Sequence, residues 1–167
     1  MNKIKFISAG FLLISLAGCA SFGPIDTAEF EPKIRHDIPA IEGRVLAKAP
    51  AVFLPGINGY SIVGNFFEAG PFAKSKTGLI VLTEQKLYFA QWNSGNYHHY
   101  WDLDYGLITS LEIRSMGRGK RLVLNFSKHP NVASFDITSN GTFIDARKTT
   151  TIGQLIASRS GKHCKLP

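Results

Sequence analysis

The sequence has little charge, few cysteines and only one long apolar run. Charged residues make up 19% of its 167 residues and hydrophobic residues 44%, which excludes a disordered acidic chain. Two cysteines allow at most one disulfide. With one long apolar run, near the N-terminus, the chain is not a polytopic membrane protein. What is present is the composition of one compact domain with an appendage, long enough to form a core without disulfides or metal.

Residues 1–18 have the three parts of a secretory signal peptide. Two lysines precede the apolar run 6–16, and two small residues follow it. The alternative is a transmembrane helix, but a helix over 6–20 would be about 22 Å long, against a hydrocarbon core of roughly 30 Å. We therefore expect residues 1–18 to be removed as a signal peptide.

The end of this leader resembles the lipobox of bacterial lipoproteins, with the sequence Leu16, Ala17, Gly18 and Cys19. In that family the cysteine thiol is diacylated, the leader is cut just before it, and the new amino group is acylated too. The resemblance implies that Cys19 is the first mature residue and carries acyl chains such as palmitate. Two or three chains make a lasting anchor, because each buried methylene contributes about 0.8 kcal/mol. The alternative is an ordinary signal peptide with a coincidental cysteine.

The residues after the cysteine bear on the location of the protein. They are Ala20 and Ser21, so the aspartate that retains many lipoproteins in the inner membrane is missing. In a host with two membranes, the resemblance implies an outer-membrane lipoprotein that faces the periplasm.

Two segments flank the expected domain, which spans residues 43–160. Residues 19–42 contain three prolines and scattered charges without a sustained period, which predicts an extended tether after the lipidated cysteine. Residues 161–167 are predicted to form a frayed tail. With Cys19 acylated, Cys164 in this tail is the one remaining thiol, and it is either unpaired or joined to another chain.

From residue 44 onward, short apolar runs alternate with turn residues in the way that predicts an all-β sandwich or barrel. Strands are predicted at 44–54, 59–67, 78–83, 86–92, 97–103, 107–114, 120–126 and 132–138. Alternation within the sixth strand places four side chains on one face, namely Leu107, Thr109, Leu111 and Ile113.

One C-terminal helix is predicted over about 142–158. Thr142 and Asp145 have the spacing of a capping box. Three apolar residues follow at the spacing of a buried helical stripe: Ile152, Leu155 and Ile156.

Residues 78–89, with the sequence GLIVLTEQKLYF, resemble a hairpin of GRAM and bacterial pleckstrin-homology-like domains. In those domains a glycine opens one strand, Leu-Thr ends it, and Leu-x-Phe begins the next. The likeness extends over about 44–158. It implies a mainly β fold in which a strongly bent antiparallel sheet or barrel is closed at one end by the terminal helix. Such domains mainly bind lipids or proteins, but 52–67 lacks the basic residues of phosphoinositide-binding members.

The candidate catalytic residues lie on the fifth predicted strand. Strand alternation places His98, Asp102 and Asp104 on one face and His99 on the other. His98 and Asp102 would then be about 13 Å apart, too far for a hydrogen bond. We therefore expect no catalytic residues.

Metal and phosphate sites are not expected either. The five histidines are scattered, without the paired spacing of zinc ligands. The glycines at 56–59 and 117–119 lack the pattern of a P-loop and read better as hairpin turns. The sequence therefore predicts no metal and no cofactor.

Four basic residues form the candidate contacts for an anionic ligand: Arg114, Arg118, Lys120 and Arg121. Such a cluster is typical of anionic-lipid binding, although a solvated turn that keeps a β edge soluble explains it as well. Nucleic acid is not expected, because no recognition motif accompanies the charge.

Three functions remain after these exclusions. The first is an acylated envelope lipoprotein that acts as a non-catalytic binding or scaffold module for an envelope protein partner. The alternative is binding of an anionic lipid or glycolipid headgroup through the hairpin 114–121. A small hydrolase is the weakest, because the sequence names no nucleophile, base and orienting group together.

Overall fold

A computed structural model describes residues 22–55, 75–127 and 131–167. The predicted signal peptide, Cys19 and the predicted strand 59–67 lie outside the described residues. The elements are α1 (Phe30–Asp37), β1 (Val45–Pro55), β2 (Lys76–Thr83), β3 (Lys86–Asn93), β4 (Asn96–Asp104), a 3-10 turn (Tyr105–Leu107), β5 (Ile108–Met116), β6 (Gly119–Phe126), β7 (Val132–Ile137), α2 (Ala146–Ser160) and β8 (Cys164–Lys165). In these segments, no helix is long and apolar enough to span a bilayer.

The eight strands of the described segments belong to one sheet with the order β4-β3-β2-β1-β7-β6-β5-β8. The pairs are antiparallel except for β8, which runs parallel to β5. Among the described strands, β4 and β8 form the two ends of the sheet and do not pair with each other. The sheet is therefore open and is not a closed barrel.

The sheet bends sharply over its own core. The ring centroids of Trp101 on β4 and Phe126 on β6 lie 5.8 Å apart, although five strand spacings, or about 24 Å, would separate these strands in a flat sheet. Phe53 of the central strand β1 lies between the two halves, within 5.3 Å of Phe89 and 5.1 Å of Phe135. These aromatic rings fill the space that the bend encloses.

Helix α2 packs against β5, β6 and β7 and covers one end of the core with Ile152 and Ile156. Gly153 allows a close approach, because a Cβ there would lie 3.0 Å from the side chain of Ile113. The side chain of Asp145 caps the helix by accepting a hydrogen bond from Lys148 N–H at 2.8 Å. The helix therefore begins later than the capping-box spacing predicted.

The predicted fold class is confirmed as mainly β, with one bent sheet and a C-terminal helix. For the seven predicted strands that fall within the described residues, each boundary differs from the observed one by no more than two residues.

The prediction of an extended tether over 19–42 is wrong for its second half. Helix α1 lies there, and Phe30, Ile34, Ile38 and Ile41 are buried. They pack on the outer face of the sheet, against five apolar side chains: Leu79, Val81, Tyr88, Ala90 and Tyr97. This second core gives α1 a fixed place, because undocking it would expose these side chains to water.

The prediction of a frayed tail over 161–167 is also wrong in part. Cys164 and Lys165 form β8, which pairs with Leu111 and Glu112 of β5. Cys164 carries a free thiol and is 8% exposed. The folded part of the chain therefore extends to the last few residues.

The face predicted for β5 is interrupted by an irregularity in its pairing with β6, between Ile108 and Ser110. Thr109 is exposed there, whereas Ile108, Leu111 and Ile113 are buried. One extra residue at such a bulge shifts the alternation by one position, so Thr109 does not share the core face.

Candidate functional site

A bulge in β4 overturns the predicted faces of the histidines. Phe89 pairs with Trp101, but the next residue, Ala90, pairs with His99, so Tyr100 is the extra residue. The extra residue brings His99 and Asp102 to the same side, with His99 Nε2 3.1 Å from Asp102 Oδ1. The prediction that these two side chains face opposite ways is therefore wrong.

The second oxygen of Asp102 lies 3.2 Å from Lys86 Nζ, which is also 3.3 Å from Asp104. Hydrogen bonds to Asp102 and then to Asp104 raise the pKa of the Lys86 ammonium. In the segments that the structure describes, no hydroxyl or thiol is hydrogen-bonded to His99. Among the described residues, the geometry supplies a base and an orienting carboxylate, and no nucleophile is hydrogen-bonded to the base.

Helix α1 protects the beginning of β4. The carboxylate of Asp37 accepts a hydrogen bond from the backbone N–H of Tyr97 at 2.8 Å and contacts Lys33 at 3.1 Å. Burial opposes ionisation, but the hydrogen bonds from Tyr97, His36 and Lys33 prevail and lower the pKa of Asp37. Asp37 thus binds an edge amide and joins α1 to the sheet.

The next three residues of β4, His98, His99 and Tyr100, are all exposed, and we call them the β4 edge surface. Tyr100 packs edge-on against Phe53, at 5.8 Å between ring centroids, and Lys76 Nζ lies 5.7 Å from the centroid of the Tyr100 ring. One side of this ring is therefore held by the core, and 39% of the residue remains open to solvent.

The structure separates the four predicted anionic-ligand contacts. Arg121 of β6 makes a two-pronged ion pair with Asp136 of β7, at 2.6 and 2.7 Å. Arg114, opposite Arg121 on β5, is paired with Glu112. Two of the four cations are therefore neutralised by carboxylates of the same sheet. Because of these ion pairs, they would bind an external anion less strongly.

The other two cations have different surroundings: Arg118 is exposed to solvent and Lys120 contacts helix α2. Arg118 is exposed at the tip of the β5–β6 hairpin, beside Gly117, whose φ is +60°. Lys120 Nζ lies 3.3 Å from the hydroxyl of Thr150 on α2. Gly117 and Arg118 thus form the turn of the predicted hairpin, and within the described residues Arg118 alone of the four cations has no hydrogen bond or ion pair.

A cavity of about 340 Å³ lies between α2 and the C-terminal segment. Its walls include Ala157, Ser158, His163, Cys164 and Leu166. Burial raises the pKa of the Cys164 thiol, which disfavours the nucleophilic thiolate. No group of three or more metal-ligating side chains occurs in the described segments.

Sequence reasoning missed three residues: Asp37 beside the start of β4, Asp136 beside Arg121, and the exposed Phe143. Asp136 follows Phe135 on β7 and therefore points to the opposite face, but its pairing with Arg121 depends on strand register. Phe143, which is 69% exposed, lies where the sequence predicted the first turn of a helix. Its exposure follows from the later start of α2.

The chain matches no protein-family model and no curated protein. Among solved structures, it is similar to the hSac2 domain from the human phosphoinositide phosphatase Sac2, with a TM-score of 0.53 and 8% sequence identity. The similarity covers 83% of this chain and 85% of that chain. At this identity it shows a shared fold and nothing about activity.

Two weaker similarities are to structures that contain a pleckstrin-homology (PH) domain. The Slm1-PH domain, solved with inositol-4-phosphate, has a TM-score of 0.45 and 9% identity, covering 72% of this chain and 99% of that chain. The DH/PH fragment of PDZRHOGEF, solved with human RhoA, has a TM-score of 0.47 and 10% identity, covering 71% of this chain but only 29% of that chain. These TM-scores are too low to assign a ligand to this chain.

Proposed function

We propose that this protein is an acylated lipoprotein of a bacterial envelope whose folded part binds an envelope protein partner without catalysis. The lipobox residues 16–19 support cleavage before Cys19 and acylation of that residue. Ala20 and Ser21 support an outer-membrane location that faces the periplasm in a host with two membranes. The acyl chains would hold the binding domain at the membrane surface.

The observation that carries the binding role is the β4 edge surface. Among the described strands, β4 pairs on one side only, and its three consecutive residues His98, His99 and Tyr100 are exposed. An edge strand offers backbone groups to an incoming extended segment, and tyrosine is enriched in protein interfaces. Since the Tyr100 ring already packs against Phe53, little side-chain conformational freedom would be lost on binding.

The His99–Asp102 pair is better explained as part of this surface than as a hydrolytic site. Both side chains are partly exposed, and Asp102 is already bonded to Lys86. A hydrolase would need a nucleophile within hydrogen-bond reach of His99. None of the described residues supplies such a nucleophile, whereas the pair can supply hydrogen-bond donors and acceptors to a partner.

Site-specific photocrosslinking in the native envelope tests this proposal. A photoreactive phenylalanine analogue replaces Tyr100 in the full-length, acylated protein. We expect one discrete adduct of higher mass, because a partner seated on β4 would contact this ring. The matched control carries the analogue at Thr109, which is exposed on β5.

The adduct from position 100 should be at least fivefold stronger than that from position 109. No adduct from positions 98, 99 and 100, or equal adducts from positions 100 and 109, would contradict a partner at the β4 edge surface.

The second candidate is binding of an anionic lipid or glycolipid headgroup at the β5–β6 hairpin. One observation favours it: Arg118 is exposed at the tip, and no carboxylate of the described residues pairs with it. The ion pairs of Arg114 and Arg121 reduce the free positive charge. The site would therefore centre on Arg118, with Lys120 next in the chain.

A further inference from the structure

Residues 139–144 form a tight loop that exposes two apolar side chains. Phe143 is 69% exposed and Ile144 37%. A bridge between Thr138 and Ile144 closes the loop, and Asn140 Oδ1 accepts a hydrogen bond from Thr142 N–H at 3.2 Å. Ser139 N–H donates to the carbonyl of Phe143 at 3.0 Å. The exposed phenylalanine is thus presented on a hydrogen-bonded loop.

The loop lies beside exposed cations. A Cβ built on Gly119 would be 3.1 Å from the side chain of Ile144, which places the loop against the β5–β6 hairpin next to Arg118. Arg147 is exposed in the first turn of α2, three residues after Ile144. Apolar side chains among cations are typical of surfaces that bind anionic membranes.

The N-terminal end of the described chain reaches the same loop. A Cβ on Gly141 would clash with the ring of Phe22, so Phe22 lies on the loop. Phe22 is three positions after Cys19, and a fully extended chain spans at most about 11 Å over three positions. Acyl chains attached to Cys19 would therefore be confined to the neighbourhood of this loop.

We propose that Phe22, Arg118, Phe143, Ile144 and Arg147, which we call the anchor face, lie directly on the membrane that holds the acyl chains. Phe143 enters the headgroup region, and Arg118 and Arg147 contact anionic lipid phosphates. This inference rests on the proposed acylation of Cys19. It adds that the domain is held in one orientation against the bilayer, instead of standing off on a long tether.

Fluorescence quenching of a probe at position 143 tests the orientation. The acylated protein carries C164S, so that the one reactive thiol is that of F143C, labelled with the environment-sensitive dye NBD. It is reconstituted in vesicles of phosphatidylethanolamine and phosphatidylglycerol that contain a nitroxide-labelled lipid. The matched control carries the dye at T109C, which is exposed on β5 about 23 Å from the hairpin end of that strand.

We expect the nitroxide lipid to quench the dye at position 143 at least three times as strongly as the dye at position 109. The emission at position 143 should shift to the blue, and R118E should reduce its quenching. Equal quenching at both positions in acylated, vesicle-bound protein would overturn the anchor face but leave the proposed acylation intact.

Two further outcomes identify other failures. A protein mass without acyl chains would overturn the proposed acylation and remove the premise of this inference. A blue shift at position 143 that appears without vesicles and grows with protein concentration would show that a second copy covers the anchor face, and this result would also overturn the proposal.

Amide hydrogen exchange in the unlabelled acylated protein gives an independent readout. The exchange of residues 139–144 should slow at least threefold when the protein is bound to vesicles.

Discussion

At the scale of single residues, the hydroxyl of Tyr97 is a buried polar group that has no hydrogen-bond partner among the described residues. Burial and the nearby charge of Asp37 raise the pKa of Tyr97 to about 12. Its ring packs edge-on against Phe30, at 5.7 Å between centroids. The ring therefore stabilises the docking of α1, while the hydroxyl opposes it.

We expect Tyr97→Phe to leave the free energy of unfolding unchanged or to raise it by about 1 kcal/mol, because the change removes only the unpaired hydroxyl. The matched control is Tyr88→Phe, whose hydroxyl donates to the carbonyl of Ala40 at 2.8 Å. That change should lower the free energy of unfolding by about 1 kcal/mol. Urea denaturation measures both, and a clear loss of stability in Tyr97→Phe would show that its hydroxyl has a partner.

Asp37 gives a pH-dependent prediction. Its pKa is lowered from 3.8 in the folded state, so the ionised carboxylate stabilises the fold above pH 3.8. This contribution is lost as the pH falls through the lowered folded value. We expect Asp37→Ala to cost about 1 to 3 kcal/mol at pH 7, because it leaves the N–H of Tyr97 without its acceptor.

Urea denaturation of the wild type and Asp37→Ala at pH 7 and at pH 3 measures this effect. The difference in the free energy of unfolding should be smaller at pH 3, which is below the unfolded pKa of 3.8, because the unfolded chain there takes up a proton that folded Asp37 binds less readily. A difference of the same size at both values would mean that the charge of Asp37 does not contribute.

At the scale of elements, α1 shows why part of the fold was missed from the sequence. Phe30, Ile34, Ile38 and Ile41 have a helical spacing, but Pro32 and Pro39 gave the segment the composition of a linker. Pro32 falls in the first turn of the helix, where its missing N–H has no cost. Strands β1 to β7 were predictable because each is a short apolar run bounded by turn residues, whereas β8 has two residues and is too short to show a period.

Deleting α1 tests whether the second core is needed. A chain that begins at Gly43 should be less stable by roughly 3 to 6 kcal/mol than one that begins at Phe22, because Phe30 and Ile34 are both fully buried. Exposure of the sheet beneath α1 should also promote aggregation. Thermal denaturation and light scattering compare the two chains, and equal stability would be the behaviour of an extended tether.

The β5–β6 hairpin gives a prediction about the second candidate function. If Arg118 contacts anionic lipid, Arg118→Glu should weaken co-sedimentation with phosphatidylglycerol vesicles at low salt without lowering stability. Arg121→Glu should instead cost about 2 kcal/mol of folding stability, because it removes the partner of Asp136. Binding that does not change with salt or with Arg118→Glu would rule out this hairpin as the lipid contact.

The predicted site residues and their positions in the structure show which parts of a site can be predicted from a sequence. The basic cluster 114–121 was visible as composition, but the partners of Arg114 and Arg121 depend on how β5, β6 and β7 pair. The contact of His99 with Asp102 depends on a single extra residue in β4. Register and bulges are set by packing across the sheet, so local alternation could not give these contacts.

At the scale of the whole molecule, the described fold begins close to the proposed anchor. Phe22, three residues after Cys19, already contacts the loop 139–144, and α1 covers the outer face of the sheet. At most about 11 Å of extended chain would therefore join acylated Cys19 to the first contact of the domain at Phe22. A partner would meet it close to the membrane surface.

Acylation of Cys19 is the premise of both proposals, and the intact mass of the protein purified from membranes tests it most directly. We expect a chain that begins at Cys19 and carries two or three acyl chains, and we expect Cys19→Ser to keep its leader and to lose the acyl mass. A mature chain that begins at another residue, or an unmodified mass that begins at Cys19, would contradict a lipid-anchored binding module.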